Sequence, residues 1–502
     1  MKLDSSIADD YFSFVLSKRG IKVANIKKNL GYQSLYQILN VGLPLITAPF
    51  LARVLGAEPL GIMSYTSSIV HYFTLFAMMG LTNYGTRSIA VVKENRKERD
   101  VTFSQIFYMQ LITTGIAFIA YGIYMFLFCT ENVLISWIQG IAILACFFDI
   151  NWFFFGIEEF KITVIRGMII RVSSVALMLI LVKSPDDLWI YAVLLIGSTL
   201  ASQIVLWFYA PRFLKLRKPD FALIKKHFGP NIKLFIPFLA MSVYHIMDKT
   251  MLGALSTYTQ SGYYYNADKV INIPIGLLTG VGTVMLPRMS ALAGANKKTK
   301  LNAMFNTSIR GISLVSAAMC CGIAAIAKEF TPFFFGPGYD ECIVLIITLA
   351  PVLFIKGLSL ISRNLYLIPN KMENKLTASV VAGAIVNLIV NALLIPSMGA
   401  LGAVIGTLIA EIISCLWQYA SLAREVKCAK SLISGLGYFA IGVAMFFGVR
   451  FIADHITASN FVKIFLEIIS GVGIYSIMCL ALWAITRNKT ALNLLKSQLR
   501  RK

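Results

Sequence analysis

Charged side chains lie within two long apolar stretches in the second half of the chain. Asp248 and Lys249 lie in the first stretch, and Asp268 and Lys269 in the next. A charge in the middle of a membrane span costs about 2.5–3.5 kcal/mol on insertion scales, so it usually faces a wet cavity or an oppositely charged partner. Arg53 has a comparable place in the first half of the chain. These five residues form a predicted cationic cleft that could bind an anion.

Two interpretations of this cluster remain open. In the first, Arg53, Lys249 and Lys269 neutralise a diphosphate through charge-assisted hydrogen bonds, while neighbouring polar groups hold sugars. In the second, the acids and bases only pair with one another and stabilise the fold. The tyrosines at 263–265 could stack against sugar rings, but tyrosines at this depth also form the ordinary interfacial belt of a membrane protein, which we favour.

A second charged group surrounds the segment DINWFFFGIEEFK at 149–161. Asp149 and Glu158 lie within it, and Arg166 and Arg171 follow in the next apolar stretch. Acids that face bases could form an inner gate that breaks and re-forms during a conformational cycle. They could equally form a static clasp between helices. We treat these four residues as a candidate inner gate and leave both interpretations open.

Other chemistry receives little support from the sequence. Lys356, Arg363 and Glu411 are further charges inside apolar stretches, and the sequence suggests no partner for them. No P-loop or HExxH motif occurs, and the eight cysteines form neither a CxxC pair nor a Cys/His spacing suited to zinc. We therefore predict no catalytic residue, no metal and no cofactor.

Composition indicates the environment of the chain. Of its 502 residues, 57% are hydrophobic and only 14% are charged, and the mean hydropathy is +0.73. These values exclude an ordinary water-soluble fold. The net charge of +22 does not indicate nucleic-acid binding, because the Lys and Arg residues fall in short clusters between apolar runs rather than in one patch. The chain is predicted to be an all-α polytopic membrane protein.

Apolar runs give the number of spans. A helix that rises 1.5 Å per residue needs roughly 20 apolar residues to cross a bilayer, and we predict about fourteen such helices. Their approximate spans are 30–52, 61–81, 103–128, 133–156, 163–183, 188–210, 234–255, 262–286, 305–327, 342–363, 376–396, 400–423, 435–453 and 462–485.

Basic loops predict the orientation, because Lys and Arg near span ends stay on the cytoplasmic side. The loops assigned to the cytoplasmic side carry most of them, at 93–99, 211–226, 297–300 and 424–430. The intervening loops carry few. An even number of crossings then places both termini in the cytoplasm, together with the basic tail 487–502.

A weak internal repeat predicts the domain organisation. Gly61 and Arg87 in the first half have the same separation as Gly262 and Arg288 in the second, which favours two pseudo-symmetric six-helix bundles followed by two further helices. The predicted parts are a cytoplasmic tail (1–28), a first bundle (29–210), a basic cytoplasmic linker (211–233), a second bundle (234–423), two extra helices (424–486) and a basic cytoplasmic tail (487–502).

Three segments carry a family resemblance: LPLITAPFLARVLGAEPLGIMSY before and around Gly56, DINWFFFGIEEFK at 149–161 and GYYYNADK at 262–269. With them, the chain resembles the bacterial polysaccharide-repeat-unit flippases of the Wzx type. This family belongs to the superfamily that also holds multidrug and toxin extrusion transporters and lipid II flippases. The likeness extends over nearly the whole chain from about residue 28.

The resemblance implies fourteen helices around a central cationic cleft that opens alternately to either side of the bacterial inner membrane. It also implies export of undecaprenyl-diphosphate-linked oligosaccharide repeat units for O-antigen, capsule or exopolysaccharide assembly. In the family, basic residues of the cleft are thought to meet the diphosphate, which matches Arg53, Lys249 and Lys269. Polysaccharide polymerase and chain-length machinery are candidate partners, and no nucleic acid is expected.

Three rival functions differ in what they require of the sequence. An ion-coupled multidrug and toxin antiporter on the same fold would have an acidic rather than a basic cleft. A membrane glycan polymerase or ligase usually needs a sizeable outer loop, and every predicted outer loop is short. A non-transporting scaffold leaves the buried charges unexplained. We therefore predict a transporter and not an enzyme.

Overall fold

The computed structural model describes residues 42–485, apart from some side chains near the middle of the chain, namely those of Lys233, Leu234, Pro237, Phe238, Ala240, Met241 and His245. Between residues 42 and 485 the regular structure is helical throughout, without a strand, which confirms the predicted all-α class. The predicted cytoplasmic tails, 1–28 and 487–502, lie outside the described residues.

The helices follow one another with short connections. The first half contains α1 (Gly42–Leu55), α2 (Ala57–Met78), α3 (Leu81–Val92), α4 (Arg96–Leu127), α5 (Val133–Phe147), α6 (Asn151–Gly156), α7 (Phe160–Leu181) and α8 (Leu188–Phe213). The second half contains α9 (Phe221–Leu255), α10 (Tyr258–Gly294), α11 (Lys298–Phe335), α12 (Asp340–Leu349), α13 (Pro351–Ser362), the π-helix Arg363–Leu367, α14 (Glu373–Met398), α15 (Ala400–Leu422), α16 (Ala429–Asp454) and α17 (Asn460–Ile485).

Ten helices of the described chain are long and apolar enough to cross a membrane, so the protein is a multi-pass membrane protein. The number rises to eleven if α1 and the helical stretch Ala57–Val92 form one span that bends by 118°. The described parts of the predicted spans are mainly helical, but the span 133–156 is broken between α5 and α6, and the span 61–81 ends beyond a turn at 79–80. The count of fourteen stays a prediction, because α1 and α2 meet at this sharp bend and α5 has only 15 residues.

The described chain divides into two compact units. Residues 42–48 and 69–239 form the first unit, and residues 49–68 and 240–485 form the second. Most of the predicted basic linker 211–233 is helical, since α8 continues to Phe213 and α9 begins at Phe221. The predicted domain boundaries themselves stay predictions.

An aromatic core holds the first unit together. The break between α5 and α6 directs Trp152 and the two phenylalanines after it into the interior. The Trp152 ring stacks on Phe103 of α4 with 5.2 Å between ring centroids, and its Nε1–H donates to Oε1 of Gln110 at 2.9 Å. Burying aromatic rings while satisfying the indole N–H stabilises this arrangement. The most distinctive part of the segment 149–161 therefore belongs to the packing core.

An ionic cluster joins the last two helices to α11 of the second unit. Arg450 of α16 lies 2.6 Å from the Glu329 carboxylate of α11 and 3.1 Å from the Glu467 carboxylate of α17. Both glutamates are buried, and Arg450 also pairs with Asp454 at 2.9 Å. A buried ion-paired cluster requires all its members, because loss of one leaves an uncompensated charge.

Two glycines let α2 and α10 cross almost backbone to backbone within the second unit. A Cβ atom on Gly61 would lie 1.7 Å from the carbonyl oxygen of Tyr258, and one on Gly262 would lie 1.9 Å from that of Ala57. The contact is reciprocal, and Gly61 and Gly262 are the residues at which the two copies of the predicted repeat begin. Only glycine fits such an approach.

We expect the substitution Gly262→Ala to lower the unfolding free energy by about 3 kcal/mol or more, because the added methyl group meets backbone that cannot move aside. The matched control is Gly280→Ala in the same helix, where a Cβ has nothing within 4 Å and alanine favours the helix by up to about 1 kcal/mol. Denaturation of the purified protein in detergent measures both. Equal stability of the two variants would contradict the close crossing.

Candidate functional site

A polar cavity of about 270 Å³ lies inside the second unit. Helices α9, α10, α13 and α15 surround it, and each contributes at least one ionisable side chain. The lining consists of Tyr244, Asp248, Lys249, Tyr264, Asp268, Asn272, Lys356, Thr407 and Glu411. Such a concentration of charge among apolar helices is typical of a pathway or a binding site rather than of a packing core.

Asp248 is the most completely satisfied of these ionisable groups. Its Oδ2 accepts hydrogen bonds from the Tyr264 hydroxyl and from Oγ1 of Thr407, both at 2.7 Å. Its Oδ1 accepts from Nδ2 of Asn387 at 3.0 Å and from Nδ2 of Asn391 at 2.6 Å. The side chain is buried, and four donors replace the water that a carboxylate loses there.

Lys249 and Asp268 form an ion pair on the cavity wall. The Lys249 ammonium of α9 lies 3.0 Å from Oδ2 of Asp268 on α10, and each side chain is about a quarter exposed, at 26% and 23%. Nδ2 of Asn272 donates to the other oxygen of Asp268 at 2.7 Å. The acid and base therefore pair across two helices, and both remain accessible from the cavity.

A second ion pair lies on another wall of the cavity. Lys356 of α13 lies 3.3 Å from the carboxylate of Glu411 on α15. Beyond this pair the polar space continues into an adjoining cavity of about 220 Å³, which Arg363 also lines. The sequence marks these three residues as charges without a named partner, and the structure brings them to one site.

Acids and bases balance in the two adjoining cavities. Among the described side chains, three carboxylates and three basic groups line them, namely Asp248, Asp268, Glu411, Lys249, Lys356 and Arg363. The formal sum is zero when all are ionised. A phosphate group can therefore bind favourably only where a base exchanges its carboxylate partner for the ligand, or where a base has no such partner.

The two other predicted cleft bases have different surroundings. The Arg53 guanidinium donates to the carbonyl oxygen of Phe333 in the last turn of α11, where helix carbonyls lack intrahelical partners. The Lys269 ammonium lies over the Tyr265 ring, 4.0 Å from its centroid. Neither residue is among those that line the two cavities.

Part of the candidate inner gate forms one hydrogen-bonded cluster in the first unit. Oδ1 of Asp149 accepts from the backbone N–H and from Nδ2 of Asn151, both at 2.9 Å. Arg166 donates to Oδ1 of Asn151 at 3.1 Å and to the carbonyl oxygen of Ser202 at 2.5 Å. Asn151 thus bridges Asp149 and Arg166, an arrangement that suits a clasp between α6, α7 and α8.

The other two members of the candidate gate have different surroundings. Glu158 pairs with Lys93, the residue that follows α3, at 2.9 Å, and the Glu158 side chain is 47% exposed. Arg171 lies on α7, one helical turn and a half beyond Arg166, and its side chain is exposed. The gating role of all four residues stays a prediction.

Sequence reasoning missed the amides that hold Asp248. Asn387 and Asn391 lie one helical turn apart on α14, inside the predicted span 376–396. Two buried amides at this spacing in an apolar helix are a detectable signal, because unsatisfied amides are costly in a membrane. Their partner on another helix was not detectable in this way.

Comparison with known proteins gives a family match and several similar proteins. A family model described as "Polysaccharide biosynthesis protein" matches residues 26–293. Two proteins that carry the name "Putative O-antigen transporter" are similar. The one from Escherichia coli (strain K12) is 24% identical over 339 residues, which cover 67% of this chain and 81% of that protein. The one from Shigella dysenteriae is 26% identical over 414 residues, covering 78% and 99%.

Solved structures share the fold. The lipid II flippase MurJ in its inward closed conformation aligns with a TM-score of 0.71 at 17% identity, covering 90% of this chain and 99% of that one. An inward-facing multidrug resistance transporter of the MATE family aligns with a TM-score of 0.57 at 15% identity, covering 76% and 95%. At these identities the likeness concerns the fold alone.

We expect Asp248→Ala to reduce the unfolding free energy by about 3 kcal/mol, because it leaves several buried donors without an acceptor at about 1–3 kcal/mol each. Asp340→Ala, which removes an exposed acid at the start of α12, should change it by about 0.5 kcal/mol or less. Denaturation in detergent measures both. Similar small effects would show that the donors around Asp248 find other partners.

Proposed function

Because the chain belongs to the polysaccharide biosynthesis protein family, we propose that it is a flippase for undecaprenyl-diphosphate-linked oligosaccharide repeat units. It moves them from the cytoplasmic to the outer face of the bacterial inner membrane, with both of its termini in the cytoplasm. The export serves the assembly of O-antigen, capsule or exopolysaccharide. The names of the two relatives as O-antigen transporters support this substrate class.

The observation that carries the proposal is the ion pair between Lys249 and Asp268 on the wall of a polar cavity. Hydrocarbon strongly disfavours a diphosphate and a sugar, whereas a lipid tail stays readily in the bilayer. A transporter for such a molecule needs a polar compartment for the head group only. The cavity supplies one, with charges, amides and hydroxyls along its walls.

Binding can proceed by exchange of partners. Oxygen atoms of the diphosphate replace Asp268 at the Lys249 ammonium, and Asn272 keeps a hydrogen bond to Asp268, which limits the cost of separating the pair. Asp248 holds the α9 backbone next to Lys249 in place through its four donors. Arg53 and Lys269 add positive charge in this proposal without lining the cavity.

Opening of the cavity alternately to the two membrane faces completes the transport cycle. The membrane potential favours export, because an anion leaving a negative interior gains about 2.3 kcal/mol per charge per 100 mV. The polymerase and chain-length machinery of polysaccharide assembly would receive the exported unit. No covalent bond of the substrate changes, in agreement with a transporter rather than an enzyme.

The shared fold does not separate this function from multidrug antiport, because MATE transporters have it too. The difference lies in the cavity. An antiporter for cationic drugs requires an excess of acids, whereas here Lys249, Lys356 and Arg363 offset the three carboxylates. The balance favours an anionic or strongly polar head group.

Deletion of the protein should cause lipid-linked oligosaccharide to accumulate on the cytoplasmic face and surface polysaccharide to disappear. We expect Lys249→Gln to reduce surface polysaccharide by about tenfold or more at equal protein abundance, because a charge-assisted hydrogen bond contributes about 1.5–3 kcal/mol. Accumulation is measured with radiolabelled glycan lipid in membrane vesicles of known orientation. Surface polysaccharide is measured on gels.

Two variants control this experiment. Lys375→Gln breaks an exposed ion pair with Glu425 and should leave export unchanged. The double variant Lys249→Gln with Asp268→Asn removes both charges without leaving an unpaired acid, so it should fold and still fail to export. Wild-type export by the double variant would contradict the site, and a deletion strain without accumulated glycan lipid would contradict the proposed function.

A further inference from the structure

One face of the broken helix 351–367 borders the adjoining cavity. Lys356, Ser359, Leu360 and Arg363 all line this cavity, and their spacing of three and four residues places them on a single helical face. Lys356 and Arg363 are therefore two successive bases along one wall, two helical turns apart. This cavity adjoins the one that Lys249 lines.

Arg363 differs from the other bases of the two cavities. Its Nε donates to Oδ1 of Asn364 at 3.2 Å, and no carboxylate forms an ion pair with it among the described residues, although Lys249 and Lys356 each have one. A guanidinium has five N–H donors in a planar fork. Among the described residues, the bond to Asn364 uses one of these donors, and Arg363 lines the cavity, so donor capacity is left for a ligand there.

The backbone around Arg363 adopts an uncommon conformation. The π-helix Arg363–Leu367 interrupts the α-helical ladder, and such single π-turns occur frequently at functional sites. Neighbouring contacts keep it in place: Ser362 donates to Gln418, and the Tyr419 hydroxyl donates to the carbonyl oxygen of Leu358 at 3.0 Å. The π-turn is therefore a fixed feature that positions Arg363 at the cavity wall.

From these observations we propose that Lys356 and Arg363 form a phosphate subsite, in which Arg363 makes the principal contact and Lys356 the second. The inference rests on the proposed function and names the wall that binds the phosphate of the substrate head group. Arginine suits this role because its fork binds two phosphate oxygens at once. Phosphate would also supply the direct ion-pair partner that Arg363 lacks among the described residues, since Glu411 shares its cavity but pairs with Lys356.

Occupation of the subsite would change the second ion pair. Lys356 and Glu411 lie 3.3 Å apart, and both line the same cavity as Arg363, so a phosphate bound in this cavity competes with Glu411 for the Lys356 ammonium. Lys249 on α9 and the pair Lys356 and Arg363 on the helix 351–367 then bind the same diphosphate head group from different sides of the polar space.

Binding to purified protein in phosphatidylcholine nanodiscs tests the subsite independently of transport. The probes are undecaprenyl diphosphate, inorganic pyrophosphate and undecaprenol, which lacks phosphate. We expect Arg363→Gln to lower the affinity for undecaprenyl diphosphate and for pyrophosphate by about tenfold or more. The affinity for undecaprenol should not change. Arg310→Gln, which removes an exposed arginine of α11, should bind all three like the wild type.

Further variants and a competitor make each outcome decisive. Arg363→Lys keeps the charge but loses the fork, so its affinity should lie between those of the wild type and Arg363→Gln, and this variant also serves if Arg363→Gln folds poorly. Unchanged undecaprenyl diphosphate affinity in both variants overturns the subsite. The subsite is also overturned if phosphatidylglycerol displaces bound undecaprenyl diphosphate as well as pyrophosphate does at the same concentration, because the site would then bind bulk lipid head groups.

The outcome is separable from that of the proposed function. Arginine-dependent pyrophosphate binding combined with a deletion strain that accumulates no glycan lipid would retain the subsite and reject the flippase. Lys249-dependent export combined with full binding by Arg363→Gln would retain the flippase and reject the subsite.

Discussion

A charge surrounded by hydrocarbon needs a counter-charge, hydrogen-bond donors or water, and this constraint organises the second unit. Asp248 has four donors, Lys249 has Asp268, and Lys356 has Glu411. Each arrangement joins different helices, so the helices cannot separate without exposing a charge. The same groups border a polar space. Stability of the unit and, in the proposed function, affinity for a polar head group thus depend on one set of contacts.

The sequence was sufficient for features that follow from local patterns. Hydropathy located the helices, because length and apolar content decide whether a helix can cross a bilayer. It also singled out Asp248, Lys249 and Asp268, because charges in apolar runs are conspicuous. The pairing of Lys356 with Glu411 was out of reach, since the two residues lie on helices that only the tertiary fold brings together.

Motifs that identify a family did not reveal their physical roles. The charges of segment 149–161 suggested a gate or a static clasp, but they did not reveal that Trp152 packs on Phe103 or that Asn151 bridges Asp149 to Arg166. Packing of this kind depends on partners far away in the chain. The weak internal repeat predicted domain organisation only, but its two first residues, Gly61 and Gly262, also form the close crossing of α2 and α10.

Accessibility of Asn272 tests the central claim that the paired charges border a wet, substrate-binding cavity. Cys129 is half-buried and the other seven cysteines are buried, so a Cys129→Ser background suits thiol labelling. A membrane-impermeant thiol reagent should modify Asn272→Cys, and undecaprenyl diphosphate should slow the reaction. Leu277 is an apolar side chain of α10 that is 60% exposed, in a helix apolar enough to cross the membrane. Leu277→Cys should not react, because its thiol would face lipid, which the reagent does not enter. Equal labelling of both positions, unaffected by the lipid, would contradict the account.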